Sequence, residues 1–217
     1  MPRTLLLALA LTAASAQAAD TVSTPPPEGQ TSSVLGGLTV GEGKSLVEGA
    51  VGWPGLHGSY LRGVAPYLDV GVRVSLDYGV QGLLSQVSPG LGVSGLVRFR
   101  LVRSGIVSLA VVFEPGPFFW VDRFGFAYAG FAVPLGVRLG IAASSALNVG
   151  LSFDVPLWVQ FGPLGGLNAP FLTGLGVEYF LKSDLSVFFK TRMGPTLRPT
   201  QRAEFTFDAL AGFGWRF

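Results

Sequence analysis

The last sixteen residues of the chain alternate between apolar side chains and polar or small ones. In steps of two back from Phe217, residues 205–217 place only Phe, Trp and Ala on one side, while Asp208 and Arg216 lie on the other. Because successive side chains of a β-strand point to opposite faces, this stretch predicts an amphipathic strand with one wholly apolar face.

The same alternation recurs along the chain between clusters of turn residues. The predicted strands are residues 34–40, 44–58, 66–78, 90–102, 106–114, 126–141, 147–159, 171–182, 185–193 and 202–217. Repeated alternating segments separated by turn residues are typical of a transmembrane β-barrel. The pattern favours ten strands, and eight is the alternative if the two segments before residue 59 do not both join the sheet.

The predicted connections alternate in length. Residues 103–105, 143–145 and 183–184 form tight turns, whereas residues 81–89, 115–125, 162–169 and 195–201 form longer links. Outer-membrane barrels have short periplasmic turns and longer outer loops. We therefore expect the tight turns and Phe217 at the same, periplasmic end.

Composition favours a membrane over water as the surroundings. Charged residues are 13% of the chain and the mean hydropathy is +0.50, whereas soluble domains have about 25% charged residues. Beyond the N-terminus, the longest uncharged run, residues 155–177, contains three prolines and cannot continue as one helix. A closed barrel then satisfies every backbone group inside a bilayer.

The N-terminus has the features of a secretory signal peptide at residues 1–19. Arg3 precedes an apolar stretch, and Ala16, Gln17 and Ala18 form a small-x-small cleavage site for Sec export. Residues 20–33, with three consecutive prolines, predict a flexible leader, and residues 34–217 the barrel. The chain has no cysteine, which excludes disulfides and thiolate metal sites, and its near-neutral charge gives no indication of nucleic-acid binding.

The aromatic stripe that ends on Phe217 resembles the terminal strand of bacterial outer-membrane β-barrels. This resemblance implies the outer membrane of a Gram-negative bacterium, surroundings of lipid and lipopolysaccharide, and recognition of the last strand by the barrel-assembly machinery. The fold class expected is all-β, a closed antiparallel up-and-down transmembrane barrel. A soluble sandwich or lipocalin-like barrel is the rival, but the polar faces here are mostly Gly, Ala and Ser, as in a crowded lumen.

Nearly every ionisable residue of the predicted strands falls on the inner face, and both signs occur. They are Glu48, Asp69, Arg73, Asp77, Arg98, Arg100, Glu114, Arg138, Asp154, Glu178, Lys190, Arg192, Asp208 and Arg216, together with Lys182. Because an unpaired charge in an enclosed space is costly, we expect pairs between neighbouring strands: Arg98 and Arg100 with Glu114, Arg138 with Asp154, and Glu178 with Lys190. The sequence thus predicts a porin-like barrel with a structural or narrow-pore role, without a cofactor, a metal or an assigned ligand site.

The sequence also suggests two other functions. His57 and Ser59 share a strand face, and Asp69 on the next strand would orient the histidine as a triad requires. This resembles the His-x-Ser element of outer-membrane lipid A deacylases, although Tyr60 stands where that family has Asn. The aromatic loop at residues 118–126 would alternatively contact a surface partner. We expect no enzyme, with lipid A hydrolysis as the catalytic alternative.

Overall fold

The computed structural model describes residues 32–80, 83–121, 127–161, 166–197 and 204–217. These residues form twelve β-strand segments, and none of them forms a helix long and apolar enough to cross a membrane. The segments are β1 (Ser45–Trp53), β2 (Gly55–Ala65), β3 (Leu68–Val80), β4 (Leu83–Ser104), β5 (Val107–Phe113), β6 (Gly116–Val121), β7 (Ala127–Ala142), β8 (Leu147–Phe161), β9 (Gly166–Pro170), β10 (Leu172–Phe180), β11 (Leu185–Leu197) and β12 (Glu204–Arg216).

The segments pair into a closed ring. Each pairing is antiparallel, and β12 pairs with β1 over eight residue pairs, from Leu46 with Arg216 to Trp53 with Ala209. β5 and β6 follow one another between β4 and β7, and β9 and β10 follow one another between β8 and β11. The described segments therefore occupy about ten positions around the ring. The prediction of a closed, antiparallel, up-and-down β-barrel is confirmed.

The alternation of the sequence corresponds to the two faces of the barrel wall. On β3, Val72 and Val74 are exposed on the outside, whereas Asp69 and Arg73 point inward. The same contrast recurs on β8, where Phe153 is exposed and Asp154 is buried. The outside is thus a band of large apolar side chains, and the inside holds the charges.

The tight turns lie at one end of the barrel, with the C-terminus. The backbone N–H of Arg216 donates to the carbonyl of Asp184 at 2.7 Å, and that of Phe217 donates to the carbonyl of Ser45 at 3.0 Å. The β4–β5, β7–β8 and β10–β11 connections share this end because the strands are antiparallel neighbours. We call it the tight-turn end.

The N-terminal part of the barrel differs from the prediction. Residues 34–40 are not a strand; they run through the interior, and all but Val34 are buried. The predicted strand 44–58 is two strands, with β1 ending at Trp53 and β2 beginning at Gly55. Pro54 lies between them, and its ring nitrogen has no hydrogen to donate to a continuing ladder.

The strands are longer than expected at the end opposite the tight turns. Part of each predicted long link is strand: β4 begins at Leu83, β11 continues to Leu197, β6 lies inside the link at 115–125, and β9 begins inside the link at 162–169 and ends at Pro170. Gly and Pro suggested loops there, but strands tolerate both residues at bulges and breaks, as between β5 and β6. The signal peptide and leader lie outside the described residues except Ser32 and Ser33, which are buried in the barrel.

Candidate functional site in the barrel lumen

Residues 32–40 cross the lumen at the tight-turn end, and we call them the strap. Ser32, Ser33, Thr39 and Val40 are each 1% exposed. The strap then leaves the interior, and Gly43 and Lys44 reach the wall through backbone hydrogen bonds of 2.9 and 3.0 Å with Gly63. This end of the lumen is filled by the chain's own backbone.

One end of the strap is held by Glu178 on β10. Its carboxylate accepts hydrogen bonds from the Ser33 hydroxyl at 2.6 Å and the Val34 backbone N–H at 3.0 Å. Arg216 on β12 forms an ion pair with the other oxygen at 2.5 Å, and Ser186 on β11 donates to it at 2.7 Å. Glu178 is fully buried, so these contacts compensate for the cost of removing its charge from water.

The other end is held by Asp69 on β3. The Val40 backbone N–H lies 3.0 Å from both carboxylate oxygens, and Arg98 pairs with Asp69 at 2.7 Å. Arg98 also donates to the carbonyl of Ser33 at 2.7 Å. In each of the two buried ion pairs, Asp69–Arg98 and Glu178–Arg216, both partners therefore bind the strap as well as one another.

Glycines of the wall make room for the strap. A Cβ added at Gly150 would lie 2.9 Å from Leu35, and one added at Gly214 would lie 2.5 Å from Val34. The strap contributes glycine in return, since a Cβ on Gly37 would lie 2.4 Å from the backbone nitrogen of Leu109. The glycines of the inner face thus permit this close approach.

Above the strap, eight charged side chains form what we call the charged belt. In one chain of contacts, Lys190 lies 3.4 Å from Glu48, Glu48 lies 3.5 Å from Arg73, and Arg73 lies 2.5 Å from Glu114. In the other, Arg138 lies 2.5 Å from Asp154, Asp154 lies 3.4 Å from Arg192, and Arg192 lies 2.7 Å from Asp208. Four cations and four carboxylates therefore balance.

Of the predicted pairs, Arg138 with Asp154 is confirmed. Arg98 does not pair with Glu114, because the register places it opposite Asp69 on β3 and opposite Val112 on β5. Glu178 pairs with Arg216 instead of Lys190, which lies two residues further from the tight-turn end than the partner of Glu178 on β11. The sequence indicated that the charges of the lumen are paired, but it did not show which of them lie at the same height along the barrel axis.

A cavity of about 270 Å³ lies between the strap and the opposite end of the barrel. Val34 and Leu35 of the strap line it below, and the belt residues line its sides. Phe118, Trp120 and Trp158 line it as well. Phe118 and Trp120 were expected in a loop, whereas the structure places both on β6, with ring centroids 5.1 Å apart.

The proposed triad is not assembled. Asp69 is opposite Gly63 on β2, six residues from His57, and it is bound to Arg98 and the strap. Glu48 contacts both other members instead: its carboxylate lies 3.1 Å from His57 Nε2 and accepts from Ser59 at 3.0 Å. Because the Glu48 carboxylate lies between His57 and Ser59, the histidine is not placed to accept the serine proton as a general base.

The described residues contain no group of three or more side chains arranged to hold a metal ion. For the strap, which occupies the tight-turn end of the lumen, the sequence offered no signal. Its residues are ordinary, and only their position inside the ring gives them a role.

No protein-family model and no curated protein matches the sequence. Among solved structures, the outer-membrane protease OmpT from Escherichia coli has a TM-score of 0.44 at 8% identity, covering 80% of this chain and 93% of that chain. The KdgM porin has a TM-score of 0.40 at 9% identity, covering 80% of this chain and 99% of that chain. One neighbour is thus a protease and another a porin, and at these values neither comparison carries an argument about function.

Proposed function

We propose that this chain is an integral outer-membrane β-barrel with a structural role, and that the strap keeps its lumen closed. The observation that carries the proposal is the strap, which crosses the tight-turn end and is bound to the wall through Glu178 and Asp69. A lumen filled by backbone and bounded above by paired charges leaves little path for a solute.

The outside of the barrel supports a membrane location. Side chains such as Val72, Leu101, Leu175, Phe189 and Phe205 are all more than half exposed. A contiguous apolar surface of this extent is unusual on a soluble monomer, and transmembrane barrels carry an apolar band on this face. The closed ring also leaves no open sheet edge for lipid to meet.

Other parts of the proposal extend beyond these observations. A Sec signal peptide would bring the chain to the envelope, and recognition of β12 by the barrel-assembly machinery would insert it. The tight-turn end would then face the periplasm, with outer-membrane lipid and lipopolysaccharide around the wall. The strap would close the periplasmic mouth.

A narrow-pore role is the second candidate, favoured by the cavity above the strap. In that case the strap is a gate, and small solutes pass when it leaves the lumen. Contact with a surface partner at residues 118–126 remains a prediction, since residues 122–126 lie outside the described part of the chain.

Solute release from lipid vesicles separates the two candidates. The chain is refolded into vesicles loaded with a small sugar, and folding is checked by heat-dependent migration on a gel. A structural barrel retains the sugar as well as vesicles without protein do. Rapid release from vesicles that hold folded protein would contradict the closed lumen and favour the pore.

A further inference from the structure

One strand presents three polar side chains of different character to the cavity above the strap. Arg73, Ser75 and Asp77 alternate with outward-facing valine and leucine on β3, and all three line the cavity. At about 3.4 Å per residue, Arg73 and Asp77 are roughly 14 Å apart along the strand. The strand therefore offers a cation near the belt and a carboxylate nearer the far end.

The two charges differ in how they are satisfied. Arg73 belongs to the neutral belt through Glu114 and Glu48, yet within the described part of the chain its Nε–H is buried without a hydrogen-bond acceptor. Among the described residues no cation pairs with Asp77, whose neighbours are Ser75 and Trp120. A buried donor without an acceptor and a carboxylate without a cation both favour a ligand that supplies the missing group.

Aromatic side chains accompany Asp77. Trp120 and Phe118 lie on β6 with ring centroids 5.1 Å apart, and both line the cavity with Trp158. The faces of aromatic rings attract cations, and quaternary ammonium groups in particular are bound by aromatic rings. The end of the cavity near Asp77 thus suits a positively charged group.

Charge balance restricts what else the cavity accepts. The belt is neutral, with each of its eight charges ion-paired, so an anion alone would add an uncompensated charge beside it. A cation alone would satisfy Asp77 but not the Arg73 donor. The volume of about 270 Å³ is below the range of about 300–1,000 Å³ that holds drug-sized ligands, so the ligand must be small.

We propose that the cavity binds a small linear zwitterion, with its cationic group beside Asp77 and the Trp120 ring and its anionic group accepting from the Arg73 Nε–H. The inference concerns the cavity alone, so it holds whether or not the barrel conducts. The closed lumen would then be a ligand-binding cavity, with the strap at its closed end.

The test uses the refolded full chain in an uncharged glucoside detergent and follows tryptophan fluorescence and binding heat. Four solutes of the same chain length, long enough to span much of the distance between Arg73 and Asp77, are titrated: the zwitterion 6-aminohexanoate, the cation 6-aminohexan-1-ol, the anion 6-hydroxyhexanoate and the neutral hexane-1,6-diol. The zwitterion is expected to bind saturably and about tenfold or more tighter than the other three. It satisfies both Asp77 and the Arg73 donor, whereas each of the other solutes satisfies at most one of the two with a charged group. Equal binding of 6-aminohexan-1-ol, or no saturable binding of 6-aminohexanoate, overturns the proposal.

Two variants sharpen the result. Asp77→Asn is expected to abolish the preference for 6-aminohexanoate over 6-hydroxyhexanoate, because the cationic group loses its counter-charge. Asp184→Asn, the same change on an exposed turn at the tight-turn end, should leave binding unchanged. If Asp77→Asn folds and still prefers the zwitterion, the assignment of Asp77 is wrong; if it does not fold, the solute comparison on the unaltered chain decides alone. Failure of either arm leaves the vesicle-release result on the closed lumen unaffected.

Discussion

Ser33 donates a hydrogen bond of 2.6 Å to Glu178, which lies 145 residues further along the chain. The same carboxylate accepts from Val34 and pairs with Arg216. A segment outside the sheet is thereby joined to β10 and β12 through one buried side chain. The fold of the wall and the closure of the lumen consequently depend on each other.

Replacing Glu178 with glutamine should destabilise the barrel by about 3 kcal/mol, because Arg216 is left buried without its counter-charge. The free energy of unfolding in urea, followed by heat-dependent gel migration, measures the loss. Glu42→Gln, an exposed change just beyond the strap, is the matched control and should have little effect. Equal stability of the two variants would show that the Glu178 contacts do not hold the strap.

Gly37→Ala should loosen the strap without removing any polar contact. The added Cβ would lie 2.4 Å from the backbone nitrogen of Leu109, which is closer than real Cβ atoms approach. We expect hydrogen exchange at residues 34–40 to become about tenfold faster or more, since local opening governs exchange.

Gly58→Ala is the control for this experiment, because a Cβ there meets only the carbonyl of Glu48 at 3.9 Å. Exchange in the strap should be unchanged in this variant. Slow exchange in both variants would indicate that the strap does not press against the wall at Gly37.

The position of the outward face in a bilayer can be tested with arginine substitutions at two depths. Val72 lies in the middle of β3 and Val64 near the tight-turn end of β2, and both are about half exposed. In a bilayer, Val72→Arg should cost about 2–4 kcal/mol of unfolding free energy, whereas Val64→Arg should cost about 0–1 kcal/mol. Unfolding from lipid vesicles gives both values, and equal costs would argue against a bilayer centred on this wall.

His57→Ala should leave the acyl composition of lipid A unchanged. His57 contacts Glu48, and Asp69 is committed to Arg98 and Val40, so the carboxylate proposed for the triad does not orient the histidine. Mass spectrometry of lipid A from cells that express either form measures this. A shift in acyl chain number that disappears in the variant would restore the enzymatic hypothesis.

Alternation made the barrel wall predictable. On β3 and β8 every second residue meets the outside, and the outward side chains of these two strands are almost all large and apolar, so the period of two is visible in the sequence. The inner face also showed its character through single charges among small residues. These two signals were enough to predict a closed barrel with a paired lumen.

The strap could not be predicted in the same way. Residues 34–40 are surrounded on all sides, so no face distinguishes them, and a short apolar run of this kind fits a strand equally well. Apart from Arg138 with Asp154, the ion-pair partners were also beyond the sequence: Arg98 pairs with Asp69 because the β3–β4 register sets them opposite each other. Register depends on the whole ring, and the alternation of one strand does not contain it.

Single-channel recording in a planar bilayer tests the closed lumen most directly. The full chain is refolded, shown to be folded by heat-dependent gel migration, and compared with its Gly37→Ala and Gly58→Ala forms. The account predicts silence from the unaltered chain and from Gly58→Ala, and openings from Gly37→Ala. Stable conductance steps from the unaltered folded chain, changed in ion selectivity by Arg138→Glu, would show that the lumen is an open pore.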